Sequence, residues 1–356
     1  MEIFISIVLF VLIFGLIIFL HELGHFLVAK WQGMRVKEFA FGFPPRLFSR
    51  RLGETRFSFN LIPLGGYVSI LGEDEDSTAH DSFSQKSPWS RLKVVLAGVT
   101  MNILLAWVLL TVWFWIAPFA PKADAVAITA VSDGSPAEEV DLRVNDFIVS
   151  ATDRNGRVTE FLTDVSLSEF TAEHRGEMIE FLITRNGGEL KVPVTLSSDE
   201  SSPSLGVSIA DLGEQIPAVP WWQAPWYALL EMVSVTLLTL KFLGDLILGL
   251  LGLVDQAPGV ESVSGPVGIF VFLRQTLALG APFVLRYAAL ISLAVAIFNL
   301  LPIPALDGGR AMFLVYEGIF KKRALSHQTE AWIHAIGFAL LILLIIIITF
   351  FDIQKL

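Results

Sequence analysis

Two histidines four residues apart, with a glutamate beside the first, can do chemistry: His21, Glu22 and His25 in "HELGH", residues 21–25. On a helix, positions i and i+4 share a face, so both imidazoles can meet one ion. Glu22 sits next to them and can take a proton from a water held there. Chance places an HExxH in fewer than about 1% of chains of this composition. Two ligands leave a zinc site incomplete, because a catalytic zinc takes three protein ligands and keeps one position open. The chain has no cysteine, which excludes disulfides, iron–sulfur clusters and thiol catalysis. The third ligand must then be a histidine or a carboxylate.

Several residues compete for that place. Glu231 and Asp245 fit the polar face of a helix. His334 stands alone in a late apolar segment and reads as a satisfied helix residue. His80 and His174 lie in polar segments and need no role. Asp307 follows "FNLLPIPAL", where Pro302 and Pro304 must break the helix begun near Phe283. Unwound backbone at membrane depth lines a cavity. Asp307 is therefore either a metal ligand there or the N-cap of a new helix that starts at Gly-Gly-Arg.

The elements that position these residues are apolar. Of 356 residues 54% are hydrophobic and 17% charged, a balance outside ordinary soluble domains. Residues 3–20, just before the HELGH pair, contain only Ser6 and Gly15 among large apolar side chains and read as a membrane span. A secretory signal peptide does not fit: Glu2 is acidic, no small-residue cleavage site follows, and the helical pattern runs on through Lys30. Further spans are expected at 94–117, 283–301 and 332–351. Residues 227–254 carry Glu231, Lys241 and Asp245 and read as an amphipathic interfacial helix. Basic clusters at 30–51, 91–93 and 321–323 fall on one side of the membrane if four spans are counted with the N-terminus outside. Residues 122–218, with 7 basic and 18 acidic side chains, then lie outside. No broad basic surface suggests nucleic acid as a partner.

The expected architecture is a polytopic α-helical membrane protein of about four transmembrane helices. Its parts are a first helix over 1–30, a cytoplasmic loop over 31–93, a second helix over 94–117, a small α+β domain over 122–200, a linker with an amphipathic helix over 201–282, a third segment over 283–320 and a fourth helix over 332–351. Within the loop, "TRFSFNLIPLGGYVSIL" alternates around a Pro-Leu-Gly-Gly turn and predicts a membrane-dipping β-hairpin over 56–71. The polar run "GEDEDSTAHDSFSQKSP" after it reads as a mobile linker. In the outer domain, the pattern predicts a strand at "VAITAV", a helix opening at "DGSPAEEV", two strands about Asn-Gly in "NDFIVSATDRNGRV", a helix at "LSEFTAEHRG" and a hairpin in "MIEFLITRNGGELKVPVTL".

HELGH in the first span and "NLLPIPALDGG" in a later one together resemble the site-2 proteases, intramembrane zinc proteases, and most closely their RseP-like bacterial branch. "SGPVGIF" at 264–270, "FGFPPRLF" at 41–48 and "IPLGGYV" at 62–68 agree, so the resemblance covers most of the chain. It implies that His21, His25 and Asp307 hold Zn2+ and that Glu22 is the catalytic acid/base. It also implies that Asn299, with Asn102, Gly65 and Gly66, binds the substrate backbone, and that the outer domain is a single PDZ-like domain. "AGVTMN" departs from the family's Ala-Gly-Pro pattern at Val99 and keeps Asn102. The implied substrates are single-span membrane proteins of a bacterial inner membrane, such as anti-sigma factors or signal-peptide remnants, with the PDZ-like domain filtering them. Two other readings exist. A non-enzymatic scaffold has no need of Glu22. A transporter built on the broken helix at 299–309 predicts inverted repeats, which the sequence does not contain.

Overall fold

A computed structural model describes residues 2–73, 75, 77–116, 126–132, 134–143, 146–161, 164–185, 188–199, 202–211, 219–253, 263–278, 280–323 and 325–354. In chain order the elements are α1 (Glu2–Trp31), β1 (Val36–Leu52), β2 (Thr55–Ile70), α2 (Pro88–Ile116), β3 (Val126–Val131), α3 (Pro136–Glu139), β4 (Phe147–Thr152), β5 (Val158–Glu160), α4 (Asp164–Glu173), β6 (Met178–Arg185), β7 (Gly188–Thr195), β8 (Val207–Asp211), α5 (Ala224–Leu250), α6 (Pro266–Ala278), α7 (Ala281–Leu300), α8 (Asp307–Phe320) and α9 (His327–Gln354). The chain divides into two units: residues 1–111, 225–273 and 285–356 form one, and 112–224 with 274–284 the other.

In the first unit, among the described residues, five helices are long and apolar enough to cross a membrane, against the four expected. The additional one is Ala224–Gly249, within α5. Its charge does not stand alone: Glu231 accepts from Arg286 of α7 at 2.8 Å. The proline break falls where expected, since α7 stops at Leu300 and α8 begins at Asp307.

The hairpin differs from its sequence expectation. Its partner strand, β1, was hidden by Pro44 and Pro45, which usually demote a strand. The turn lies at Gly53 and Glu54, and the Pro-Leu-Gly-Gly run lies inside β2. Each strand bends, so residues 38–41 have partners on both flanks: Phe39 pairs with Val68 on one side and with Phe57 on the other. Residues 46–52 pair only with 55–60. The spatial order is therefore 46–52, 55–60, 36–41, 66–70, and the outer edges are 46–52 and 66–70. The sheet lies along α1 through Phe26, Phe39, Phe19 and Phe41, whose rings meet edge to face. The polar segment that follows is folded against the sheet rather than loose. Arg35 donates to Asp81 at 2.8 Å, Lys37 to Glu75 at 2.9 Å, and the Phe83 amide to the Leu71 carbonyl at 2.8 Å.

The second unit carries a six-stranded sheet in the order β7-β6-β4-β3-β8, with β5 on β4. The expected strands and helices are present, and Ser135 caps α3 by accepting from the Glu138 amide. The tip of the β6–β7 hairpin, at 186–187, lies outside the described residues. The sheet extends past the expected boundary at 200, because β8 pairs with β3 from Val126–Asp211 to Val131–Val207. Its short apolar pattern follows a Ser-rich run that reads as a linker. Ile128, Ile148, Phe161, Phe181 and Ile183 are fully buried in its core. Asp146 is 1% exposed and is held by Arg185 through two bonds of 2.6 Å.

Candidate metal centre

The helical period brings His21 and His25 to one side of α1, and their Nε2 atoms lie 3.2 Å apart. Asp307 arrives from the first turn of α8. Its Oδ2 lies 3.1 Å from His21 Nε2 and 3.5 Å from His25 Nε2. The N-cap position falls to Leu306, and the Asp307 carboxylate lies toward the histidines. Neither Glu231, paired with Arg286, nor His334 joins this group among the described residues.

The donor set fits a zinc ion. Ligand atoms about 2.0–2.1 Å from a tetrahedral ion stand about 3.3–3.4 Å from each other. The three separations of 3.1–3.5 Å match that triangle. Asp307 Oδ2 is buried yet accepts no hydrogen bond from the described residues. The remaining ring nitrogens are occupied from behind. His25 Nδ1 donates to the Val94 carbonyl at 2.8 Å, which leaves the Nε2 lone pair of the neutral ring aimed at the triangle. His21 Nδ1 lies 3.2 Å from the Asn102 amide. Asn102 is fully buried and its Oδ1 has no partner among the described residues, so an amide turned with Oδ1 toward His21 would accept the Nδ1 proton.

Close backbone approach makes room for the pair. A Cβ on Gly98 of α2 would strike His25 Nε2 and come within 2.7 Å of His21 Nε2. In "AGVTMN" the sequence draws attention to Val99 and not to Gly98, whose need shows only when α2 is laid against α1. Gly308 serves the other side: a Cβ there would collide with the carbonyls of Leu300 and Leu301. Two ion pairs fix α8. Arg310, one turn after Asp307, pairs with Glu73, and Arg91 of α2 pairs with Glu317 at 2.6 Å.

Glu22 is half-buried beside the triad. Gly66 is close, since a Cβ on it would sit 3.2 Å from Glu22 Cγ. The 66–70 edge of the sheet therefore borders the glutamate. Gly65, at φ 142°, marks the bend that brings this edge round. Asn299 lies in the last turn of α7, half-buried, just before the proline break, and no described hydrogen bond joins it to the triad.

The chain is similar to known proteins over nearly its whole length. A profile of peptidase family M50 matches residues 9–344. A Fusobacterium nucleatum protein provisionally named a zinc metalloprotease is 33% identical, with 97% of this chain and 98% of the relative covered. The regulator of sigma-W protease RasP of Bacillus subtilis is 28% identical, with 99% of each covered. The zinc metalloprotease RasP of Geobacillus kaustophilus is 27% identical, with 98% of each covered. A multi-pass chain with this family match over nearly its whole length is a zinc metalloprotease, and it belongs to peptidase family M50, the site-2 proteases.

Proposed function

We propose that the protein cuts single-span membrane proteins within the bilayer, with His21, His25 and Asp307 as zinc ligands and Glu22 as the catalytic acid/base. The observation that carries this reading is the triangle of three donor atoms, with Glu22 beside it, in the half of α1 that ends at Trp31. His25 and His21 lie about 9 and 15 Å from Trp31 at 1.5 Å per residue. Held by these three residues, a zinc ion would supply Lewis acidity toward the scissile carbonyl and an attacking water. Glu22 takes the proton from that water and returns it to the leaving amine. Val94 and Asn102 hold the two imidazoles in the tautomer that binds metal, which makes Asn102 an orienting residue rather than a substrate contact.

A helical substrate hides its carbonyls in its own hydrogen bonds and must unwind before attack. The 66–70 edge is the strand that offers pairing beside Glu22, with Gly65 and Gly66 at its start. Residues 56–59 cannot serve, because they have partners on both flanks. Asn299 adds an amide contact from the end of α7.

The same contacts support a topology. Asp307 meets histidines near the Trp31 end of α1, so α1 and α7 run toward the same face, which the basic clusters place in the cytoplasm. Segment 225–280 then begins and ends outside, which favours α5 lying along the membrane over a fifth crossing. The Glu231–Arg286 pair supports this by tying the start of α5 to the start of α7. The N-terminus and the acidic β-sheet unit lie outside, in the inner membrane of a bacterium. That unit, read as PDZ-like, filters substrates by the size of their outer domain. The testing experiment reconstitutes the protein in liposomes with a single-span substrate and compares it with Glu22→Gln and Asp307→Ala. Cleavage that persists in both variants defeats the proposal.

A further inference from the structure

The loop that delivers Asp307 contains a residue in an unfavourable backbone state. Ala305 has φ 81°, in the left-handed region that L side chains avoid. It sits two residues before Asp307 and directly after Pro304. A residue held there without a glycine must be fixed by its surroundings. Its amide donates to Nδ1 of His334, on α9, at 2.9 Å. Pro304 is seated next door: a Cβ on Gly337, three residues along α9 from His334, would come within 2.7 Å of the Pro304 carbonyl oxygen. The Phe313 ring of α8 stands edge to face against the His334 imidazole. Thus α9 grips both residues that precede Leu306 and Asp307, one through a ring nitrogen and one through a close backbone seat.

We propose that His334 is a positioning residue of the metal centre: by accepting the Ala305 amide it holds the loop in its left-handed turn and sets the Asp307 carboxylate against His21 and His25. The inference rests on the reading of Asp307 as a zinc ligand and goes beyond it, since His334 lies outside the group of three donors. The alternative that His334 only fills space between α8 and α9 makes different predictions.

The test pairs His334 with Ala305 in the full-length protein. His334→Ala is expected to raise amide exchange of residues 301–307 in the metal-free protein by at least about tenfold. It should weaken zinc retention about 10–100-fold, the usual loss when a partner behind a ligand is removed, and change the visible spectrum of the cobalt-substituted enzyme. Ala305→Gly in the same background removes the conformational penalty and is expected to restore most of the zinc retention. His334→Asn keeps an acceptor near the Nδ1 position and should stay close to the parent protein. Should His334→Ala not accumulate in membranes, His334→Gln, whose acceptor lies further out, carries the same expectations for loss and for rescue by Ala305→Gly. Unchanged exchange and full zinc retention in the tested variant overturn the proposal. So does a loss that Ala305→Gly does not relieve, which marks His334 as packing alone. Asp307→Ala, run alongside, separates the two ideas: if it keeps its zinc, the ligand assignment itself has failed.

Discussion

Asp307 Oδ2 stands 3.1 Å from His21 Nε2, although nearly the whole chain lies between them. A carboxylate that is buried, accepts no hydrogen bond from the described residues and faces two ring nitrogens is arranged for a cation. Asp307→Ala should therefore insert normally and lose zinc, measured as metal per purified chain. Stoichiometric zinc in that variant would refute the ligand role.

Glu22 lies outside the triangle of donors. Glu22→Gln should keep its zinc and lose turnover by at least the ~10²–10⁴-fold that general acid–base catalysis contributes. The check is single-turnover cleavage of a membrane substrate alongside metal analysis. Near-normal cleavage removes Glu22 from the mechanism.

Gly98 packs against both imidazoles. Overfilling a tight contact costs about 1–3 kcal/mol, so Gly98→Ala should weaken zinc binding roughly 10- to 100-fold while α2 still inserts. A chelator competition assay reads this directly. Unaltered affinity would mean that α2 moves aside without cost.

The two outer edges of the β1–β2 sheet differ in what they face. A substrate carrying a cysteine near its scissile bond should cross-link to Ser69→Cys on the 66–70 edge and not to Ser49→Cys on the opposite edge. Equal yields, or a preference for Ser49→Cys, would end the strand-addition reading for 66–70.

The acidic unit carries its own core and a buried ion pair. Removing one partner of such a pair costs about 3–5 kcal/mol, so Arg185→Ala should unfold this unit first, seen as early proteolysis within 126–211. Replacing 126–211 by a short linker, which also removes β8, should permit cleavage of a substrate whose outer domain is still intact and preserve cleavage of a trimmed one. Loss of cleavage of the trimmed substrate with zinc still bound would make the unit an activator instead of a filter.

Local pattern carried much of this protein. The run of eighteen residues before HELGH, apolar but for Ser6 and Gly15, makes a helix that must sit in a membrane, and the four-residue spacing puts His21 and His25 on one face whatever surrounds them. Pro302 and Pro304 must end α7, so a break before Asp307 was also fixed locally. The strands of the acidic unit up to β7 follow their alternation and turn residues. Tertiary structure decided what depends on contacts between distant segments. Asp307 could equally have capped α8, and only the arrival of α8 beside α1 turns its carboxylate to the histidines. The prolines of β1 concealed a strand that membrane packing against Phe19 and Phe26 stabilises. The strand β8 has too short a pattern to stand out and exists because β3 offers it an edge. Gly98 and His334 carry no signal in a single sequence, and Asn102 stands out there only through the family resemblance, since a glycine, an amide and a lone imidazole acquire their tasks only from the groups that pack against them.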